Sequence, residues 1–121
     1  MIKFVTLKIL KIFDLYYQKN IFKFLKKKNL NKFEFFFDVG AHRGESINLF
    51  TKNFDISNIY SFEASPINFK ILEKNVKKMR KKYTNTKILI ENYALGKENN
   101  KIIMKQLNES SSSTINKINT N

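Results

Sequence analysis

The stretch Phe35–Ser46, which reads FFFDVGAHRGES, decides the fold of this 121-residue chain. Its apolar run ends in Asp38, and the chain then turns on Gly40 and Gly44 before a segment with helical periodicity. This order predicts a strand, a tight loop and a helix whose N-terminus faces a ligand. Glu63 follows 23 residues after Gly40, at the end of a second strand-like segment. A glycine turn with an acid about twenty residues further on is the layout of a nucleoside-cofactor site.

Strand-like and helix-like patterns alternate on both sides of this loop. Strands are predicted at Phe33–Val39, Asn58–Glu63, Thr86–Asn92 and Lys101–Leu107, and helices from Glu45 to about Phe54 and from Pro66 onward. Ser65 is a predicted N-cap, with Pro66 at the first helical position. Because the apolar residues of the first strand are nearly continuous, we expect it to be buried on both faces. The alternation predicts an α/β fold with a parallel sheet and right-handed crossovers.

The first 32 residues form a separate basic segment. They carry nine Lys and one Asp, whereas the other 89 residues carry 14 basic and nine acidic side chains. Apolar residues recur at spacings of three and four over residues 2–28, which predicts an amphipathic helix. Its apolar runs are too short for a membrane span. Two interpretations stay open: weak contact of residues 1–28 with an anionic membrane surface, or a helix that packs on the domain with its lysines in water.

The net charge of +13 can be explained without an anionic ligand. Lys, Asn, Ile and Phe make up 64 of the 121 residues, and all four have A/T-rich codons. Only two of the 23 basic residues are Arg, the residue that binds phosphate through two parallel hydrogen bonds. We therefore expect no nucleic-acid partner. The chain has no Cys and one His, so neither a disulfide nor a metal site is expected, and the cytoplasm is the favoured location.

The glycine loop and the acid after the second strand offer complementary groups to one cofactor. The glycines allow close approach of a ligand, and the helix N-terminus attracts a carboxylate. Glu63 would accept hydrogen bonds from a ribose diol, and Asp38 could engage an ammonium group. Together these groups match S-adenosylmethionine. A nicotinamide cofactor is disfavoured because the spacing is G-x-x-x-G and Asp38 would stand close to the pyrophosphate; a P-loop is excluded because no G-K-[ST] follows.

Four motifs, taken together, resemble the FkbM family of S-adenosylmethionine-dependent methyltransferases. They are DVGAHRG at Asp38–Gly44, FEASP at Phe62–Pro66 with Asn68 and Phe69, NYALG at Asn92–Gly96, and the serines Ser110–Ser113. They cover about residues 33–115. The resemblance implies a Rossmann-like class I methyltransferase fold and methyl transfer, typically to a hydroxyl oxygen of a sugar, glycan or natural product. Ala64 replaces the proline that is common in the family's F-E-P pattern.

The resemblance also implies nine cofactor contacts: Asp38, Gly40, Ala41, Gly44, Glu63, Ala64, Asn92, Ala94 and Leu95. The four residues of the first motif, from Asp38 to Gly44, would line the methionine part of the cofactor. Glu63 would bind the ribose. Ala64 would lie beside the adenine, and Asn92, Ala94 and Leu95 would border the adenine on the other side. The acceptor would be a small molecule or a glycan. No residue is assigned to catalysis, and His42 is left out because the family does not fix a histidine there.

The predicted sheet is incomplete for that family. A complete sheet has about seven strands, whereas the sequence predicts four, and the family's later I-K-I-D-x-E-G-like segment is missing from it. We therefore expect a basic amphipathic helical segment over residues 1–32 and a partial, cofactor-binding methyltransferase domain over residues 33–121. The expectation is a truncated piece of a longer protein that is inactive alone.

Two further points stay open. By composition, the serine run within residues 108–121 predicts a flexible polar tail, whereas by resemblance it is an ordered segment close to the site. The alternative function is a non-enzymatic basic module that binds an anionic membrane or nucleic acid through residues 1–32. That alternative explains the N-terminal charge but leaves the glycine turn and Glu63 without a role.

Overall fold

A computed structural model describes residues 16–99, 101, 103–106 and 113–116 of the chain. The chain divides into two compact units, Met1–Lys32 and Phe33–Asn121. In the first unit a helix, α1, covers residues 16–27, and the predicted helical residues before it lie outside the described part. None of the helices within the described residues has the length and apolar character needed to cross a membrane.

The second unit alternates strands and helices as the sequence predicts. Its elements are β1 (Lys32–Val39), α2 (Glu45–Asn53), β2 (Asp55–Phe62), α3 (Pro66–Lys82), β3 (Lys87–Glu91), β4 (Ile103–Gln106) and β5 (Ser113–Asn116). The first three strands form a parallel sheet in the order β1-β2-β3, and β4 and β5 form a separate antiparallel pair. In the parallel sheet Asn58 pairs with Lys87 and Phe62 with Glu91. The predicted α/β class with a parallel sheet is confirmed.

Several element ends differ from prediction. The second strand begins at Asp55 and ends at Phe62, and the third is one residue shorter at each end than predicted. The strand predicted over Lys101–Leu107 is confirmed only for Ile103–Gln106. The prediction of a flexible tail is wrong for Ser113–Asn116, which pairs with that strand. Antiparallel pairing satisfies backbone groups whatever the polarity of the side chains, so composition does not reveal it. Ser110, Ser111 and Ser112 lie outside the described residues.

The hydrophobic core lies between the sheet and the two helices of this unit. Its fully buried side chains are Ile47, Ile56, Ile59, Leu72 and Val76. Aromatic rings of β1 extend it, because Phe36 stacks on Phe50 with 4.5 Å between ring centroids. The apolar residues that recur at helical spacing in these two segments face the core: Ile47, Phe54, Leu72 and Val76 are buried, and Leu49, Phe50, Phe69 and Met79 are half-buried. The helical periodicity therefore identified the correct faces of α2 and α3.

The strand β1 is buried on one face only, so the prediction of burial on both faces is wrong. Phe35, Phe37 and Val39 remain 50%, 64% and 65% exposed. Phe37 stacks on Tyr60 of the neighbouring strand, at a centroid distance of 5.3 Å. Two right-handed crossovers that move in the same direction along a sheet place both helices on the same face. The opposite face of β1, with its aromatic side chains, therefore has neither α2 nor α3 against it.

Candidate functional site

The loop between β1 and α2 is anchored to the end of β2. The backbone N–H groups of Gly40 and Ala41 both donate to the carbonyl oxygen of Phe62, at 2.8 and 3.0 Å. Gly40 has a φ of 81° and His42 a φ of 51°, both in the left-handed region. The N–H of Gly44 then donates to the carbonyl of Ala41 at 2.8 Å and closes the turn. The loop therefore passes over the carboxyl end of the neighbouring strand.

The two glycines of this loop serve different purposes. Gly44 is the N-cap of α2 with a φ of 93°, and a Cβ there would lie 3.1 Å from Leu72 Cδ1 and 3.3 Å from Met79 Cε. Gly40 also needs a positive φ, but apart from its own atoms and those of Val39 and Ala41, no heavy atom of the described residues lies within 4 Å of its Cβ position. Gly44 therefore lets α3 approach the loop, whereas Gly40 leaves open space beside the backbone.

Glu63 organises the centre of the site. Its side chain is only 7% exposed. Its Oε2 accepts the N–H of His42 at 2.7 Å, and its Oε1 accepts the N–H of Ser65 at 2.8 Å. The carboxylate thus joins the glycine loop to the start of α3, where the hydroxyl of Ser65 caps the N–H of Asn68 as predicted. A carboxylate oxygen has more than one lone pair, so Glu63 keeps acceptor capacity for a ligand hydroxyl.

Asn92 fastens the exit of β3 to the same region. Its Nδ2 donates to the carbonyl oxygens of Glu63 and Ala64, at 2.7 and 3.2 Å. The N–H of Glu63 in turn donates to the carbonyl of Glu91 at 3.1 Å. The carboxyl ends of all three parallel strands are therefore linked by hydrogen bonds. Asn92 ends a strand and holds the next loop in position, which combines a structural role with a place beside the site.

A cavity of about 340 Å³ opens where these strand ends meet. Five of the nine residues implied as cofactor contacts line it: Gly40, Glu63, Ala64, Ala94 and Leu95. Five other residues also line it: Val39, His42, Phe62, Asn68 and Tyr93. Phe62, Asn68 and Tyr93 belong to the motifs quoted for the family, so their position in those motifs was a usable signal. Val39 and His42 also stand within a quoted motif, DVGAHRG, although neither was assigned a cofactor contact.

The other four residues implied as contacts do not line this cavity. Asp38 and Ala41 are buried, and Asn92 acts through the backbone oxygens it binds. Gly44 lies at the wall of a different cavity, on the side of α3. The structure therefore brings five of the nine residues to one cavity, and the cofactor contacts implied for all nine stay predictions.

The N-terminus of α2 already carries a carboxylate of the chain itself. Glu45 accepts the N–H of Arg43 at 3.0 Å and contacts the His42 ring nitrogen Nδ1 at 3.1 Å. Partial burial acts to raise the pKa of Glu45, but hydrogen bonds from its own N–H, the His42 ring and the Arg43 N–H outweigh it and lower that pKa. The side chain of Glu45 therefore already binds the N–H groups of Arg43 and of Glu45 itself at this helix start.

Asp38 is the most perturbed acid of the site. It is 8% exposed, and its Oδ2 has no hydrogen-bond partner within the described part of the chain. Burial, followed by the charges of Glu45 and Glu63, raises the pKa of Asp38 to about 6. A buried carboxylate near two others calls for a positive group, because like charges and desolvation both disfavour its ionised form.

Searches with the sequence and the structure found no matching family model, curated protein or solved structure.

Proposed function

We propose that the cavity at the strand ends binds S-adenosylmethionine, in a protein that methylates a hydroxyl group. The observation that carries the proposal is the convergence of three motifs on one cavity. Gly40 comes from the loop after β1, Glu63 from the end of β2, and Leu95 from the segment after β3. In parallel α/β sheets, ligands bind at the carboxyl ends of the strands. The volume of about 340 Å³ is within the usual range of small-molecule sites.

The distribution of polar and apolar groups around the cavity supports a nucleoside as the ligand. Glu63 lines the cavity and supplies acceptor oxygens for a ribose diol. Phe62 and Leu95 supply apolar surface for a purine ring, and Ala64 and Ala94 are small enough to leave room for it. A polar acceptor for the ribose beside apolar surface for the base is the arrangement that cofactor sites use.

The charge of the site favours a cationic ligand over a diphosphate. Asp38, Glu45 and Glu63 lie close enough for the charges of the last two to raise the pKa of the first. S-adenosylmethionine carries a sulfonium and an ammonium group, either of which would relieve this repulsion. The two phosphates of a nicotinamide cofactor would add to it. The charge pattern therefore supports the same cofactor as the motifs.

The proposed reaction is O-methylation of a sugar, a glycan or a natural product, as the family resemblance implies. We assign cofactor binding to the residues of this chain and assign none of them to catalysis. Methyl transfer to a hydroxyl acceptor by the 121-residue chain alone would contradict that division of roles. The acceptor is proposed only by its reactive group, a hydroxyl oxygen.

Isothermal titration of the chain with S-adenosylmethionine tests the proposal, with NAD as the comparison ligand. The exposed Ala94 lines the cavity, so Ala94→Trp should fill it with little cost to folding and weaken binding by about tenfold or more. Lys97→Trp is the matched control, since Lys97 is exposed in the same segment and lies outside the cavity lining. No heat of binding at millimolar ligand, or equal loss in both variants, would contradict the proposal.

A second candidate function rests on α1 and not on this cavity. Tyr17, Ile21 and Phe24 recur at helical spacing and are all exposed, while Lys19, Lys23, Lys26 and Lys27 lie on other faces and are also exposed. An exposed apolar stripe beside lysines is typical of helices that lie on anionic membrane surfaces. We propose weak contact of residues 1–28 with such a surface, in addition to cofactor binding.

Sedimentation with vesicles of phosphatidylglycerol and phosphatidylcholine tests this second candidate. We expect binding to anionic vesicles and not to pure phosphatidylcholine, with loss in Ile21→Ser/Phe24→Ser. Glu63→Gln is the control, because that residue lies in the other unit and should leave vesicle binding unchanged. Equal binding by the Ser variant and the unaltered chain would refute the contact.

A further inference from the structure

A second cavity, of about 430 Å³, lies on the other side of Gly44 between the start of α2 and the face of α3. It shares no lining residue with the cavity at the strand ends. Three basic side chains line it: Arg43 from the loop, and Lys78 and Lys82 from α3. We call it the basic cavity. The cofactor proposal gives it no role.

The charge around the basic cavity is unbalanced. Among the described residues its one acidic lining residue is Glu45, whose carboxylate accepts the N–H of Arg43 and contacts the His42 ring. Lys78 and Lys82 stand four residues apart, so their ammonium groups are neighbours on one face of α3 and repel each other. A bound anion would remove this repulsion.

Side-chain amides add neutral donors to the same wall. Asn75 donates through Nδ2 to the carbonyl of Arg43 at 2.8 Å, which ties α3 to the loop that carries the arginine. Asn48 accepts the hydroxyl hydrogen of Tyr83 through Oδ1 at 3.1 Å, and its NH₂ group is a donor. The wall therefore combines three cations with an amide donor on backbone that is held by hydrogen bonds.

We propose that the basic cavity binds a phosphate group carried by a small molecule. A phosphate has several acceptor oxygens and can be shared by lysines, which bind it as point charges. Other cations of α3 do not take part: Arg80 donates to the carbonyl of Ile88, at 2.6 Å through Nη2, and Lys70 and Lys74 line neither cavity. The grouping around one cavity distinguishes Lys78 and Lys82 from the lysines that merely face solvent.

The test is a titration of the isotopically labelled chain with inorganic phosphate, followed by NMR, with sodium chloride at equal ionic strength as the reference. We expect saturable shifts of the Gly44 and Glu45 amides and of the Asn48 side-chain NH₂. Lys78→Gln/Lys82→Gln should weaken phosphate binding by about tenfold, since each exposed ion pair contributes up to about fivefold. Lys70→Gln/Lys74→Gln, with the same spacing on the same helix, should leave binding unchanged.

Further ligands and one further variant in the same titration distinguish the outcomes. Glucose 6-phosphate and AMP identify the group attached to the phosphate, and tighter binding of either than of inorganic phosphate supports the proposal. Ala94→Trp should leave phosphate binding intact, so that failure of the cofactor proposal is distinguishable from failure of this one. Non-saturable shifts, equal weakening in both lysine variants, or tighter binding of single-stranded DNA that depends equally on all four lysines would overturn the proposal.

Discussion

Replacing Asp38 by Asn should stabilise the ligand-free protein at neutral pH and weaken its binding of S-adenosylmethionine. Asp38 is buried, its Oδ2 has no hydrogen-bond partner among the described residues, and its pKa is raised from 3.8 to about 6. A shift of this size costs the folded state about 3 kcal/mol once the side chain is ionised. Asn keeps the shape of the side chain and removes the charge, although its amide still needs partners, so the net gain should be about 1–3 kcal/mol.

The sign of the pH dependence follows from the raised pKa. The folded state holds the Asp38 proton more tightly than the unfolded state, so stability falls as pH rises from 3.8 to about 6 and the cost is complete above that. About 1 kcal/mol of the cost is present near pH 4.5 and about 3 kcal/mol near pH 7.5. The advantage of Asp38→Asn over the unaltered chain should therefore grow by about 2 kcal/mol across this window.

Urea unfolding of both proteins at the two pH values measures this difference. Glu34→Gln is the matched control, because Glu34 is an exposed carboxylate of the same strand and should change stability by less than about 0.5 kcal/mol at either pH. Titration calorimetry at neutral pH should show S-adenosylmethionine binding weakened by about tenfold in Asp38→Asn. A stability difference that does not vary with pH, or an Asn variant that binds the cofactor as well as the unaltered chain, would refute the reasoning.

Three other substitutions test the packing of the loop and helices by urea unfolding. Gly44→Ala should lower the free energy of unfolding by about 2–4 kcal/mol, because its Cβ would meet Leu72 and Met79 in addition to the strained φ. Gly40→Ala should lower it by about 1–2 kcal/mol from the φ alone. Equal losses would contradict the difference in packing. Ser65→Ala removes the cap on α3 and should cost about 1 kcal/mol; an unchanged stability would contradict the cap. Leu72→Ala should cost about 2–5 kcal/mol because that side chain is fully buried, with the exposed Ile67→Ala of the same helix as a control that stays near the stability of the unaltered chain.

Local signals in the sequence predicted the parts of the fold that depend on neighbouring residues. The cap at Ser65 and the proline after it located the start of α3 because both act within one helical turn. The apolar run of β1 predicted a strand but not its exposed face, since that depends on where two later helices cross the sheet. β5 was missed because its pairing with β4 is decided by a partner strand and not by its own polar composition.

In the candidate site, too, local features could be predicted from the sequence and long-range contacts could not. The positions of Gly40 and Glu63 at strand ends followed from hydrophobic patterns and spacing. The hydrogen bonds of Glu63 to the N–H groups of His42 and Ser65 could not be predicted, because they join two loops through a side chain whose rotamer depends on both. The occupation of the α2 N-terminus by Glu45 was likewise missed, although an acid in the first turn is a known signal for a charge-stabilised helix start.

The anchoring of the glycine loop has a consequence for the rate of ligand capture. Gly40 and Ala41 share the carbonyl of Phe62, and His42 is held by Glu63, so three successive N–H groups are committed before a ligand arrives. A ligand that enters this cavity has little backbone to order, so association loses little conformational entropy at that step. Encounter, and not loop closure, should then limit the association rate, and differences in affinity between related ligands should arise mainly from how slowly each one leaves.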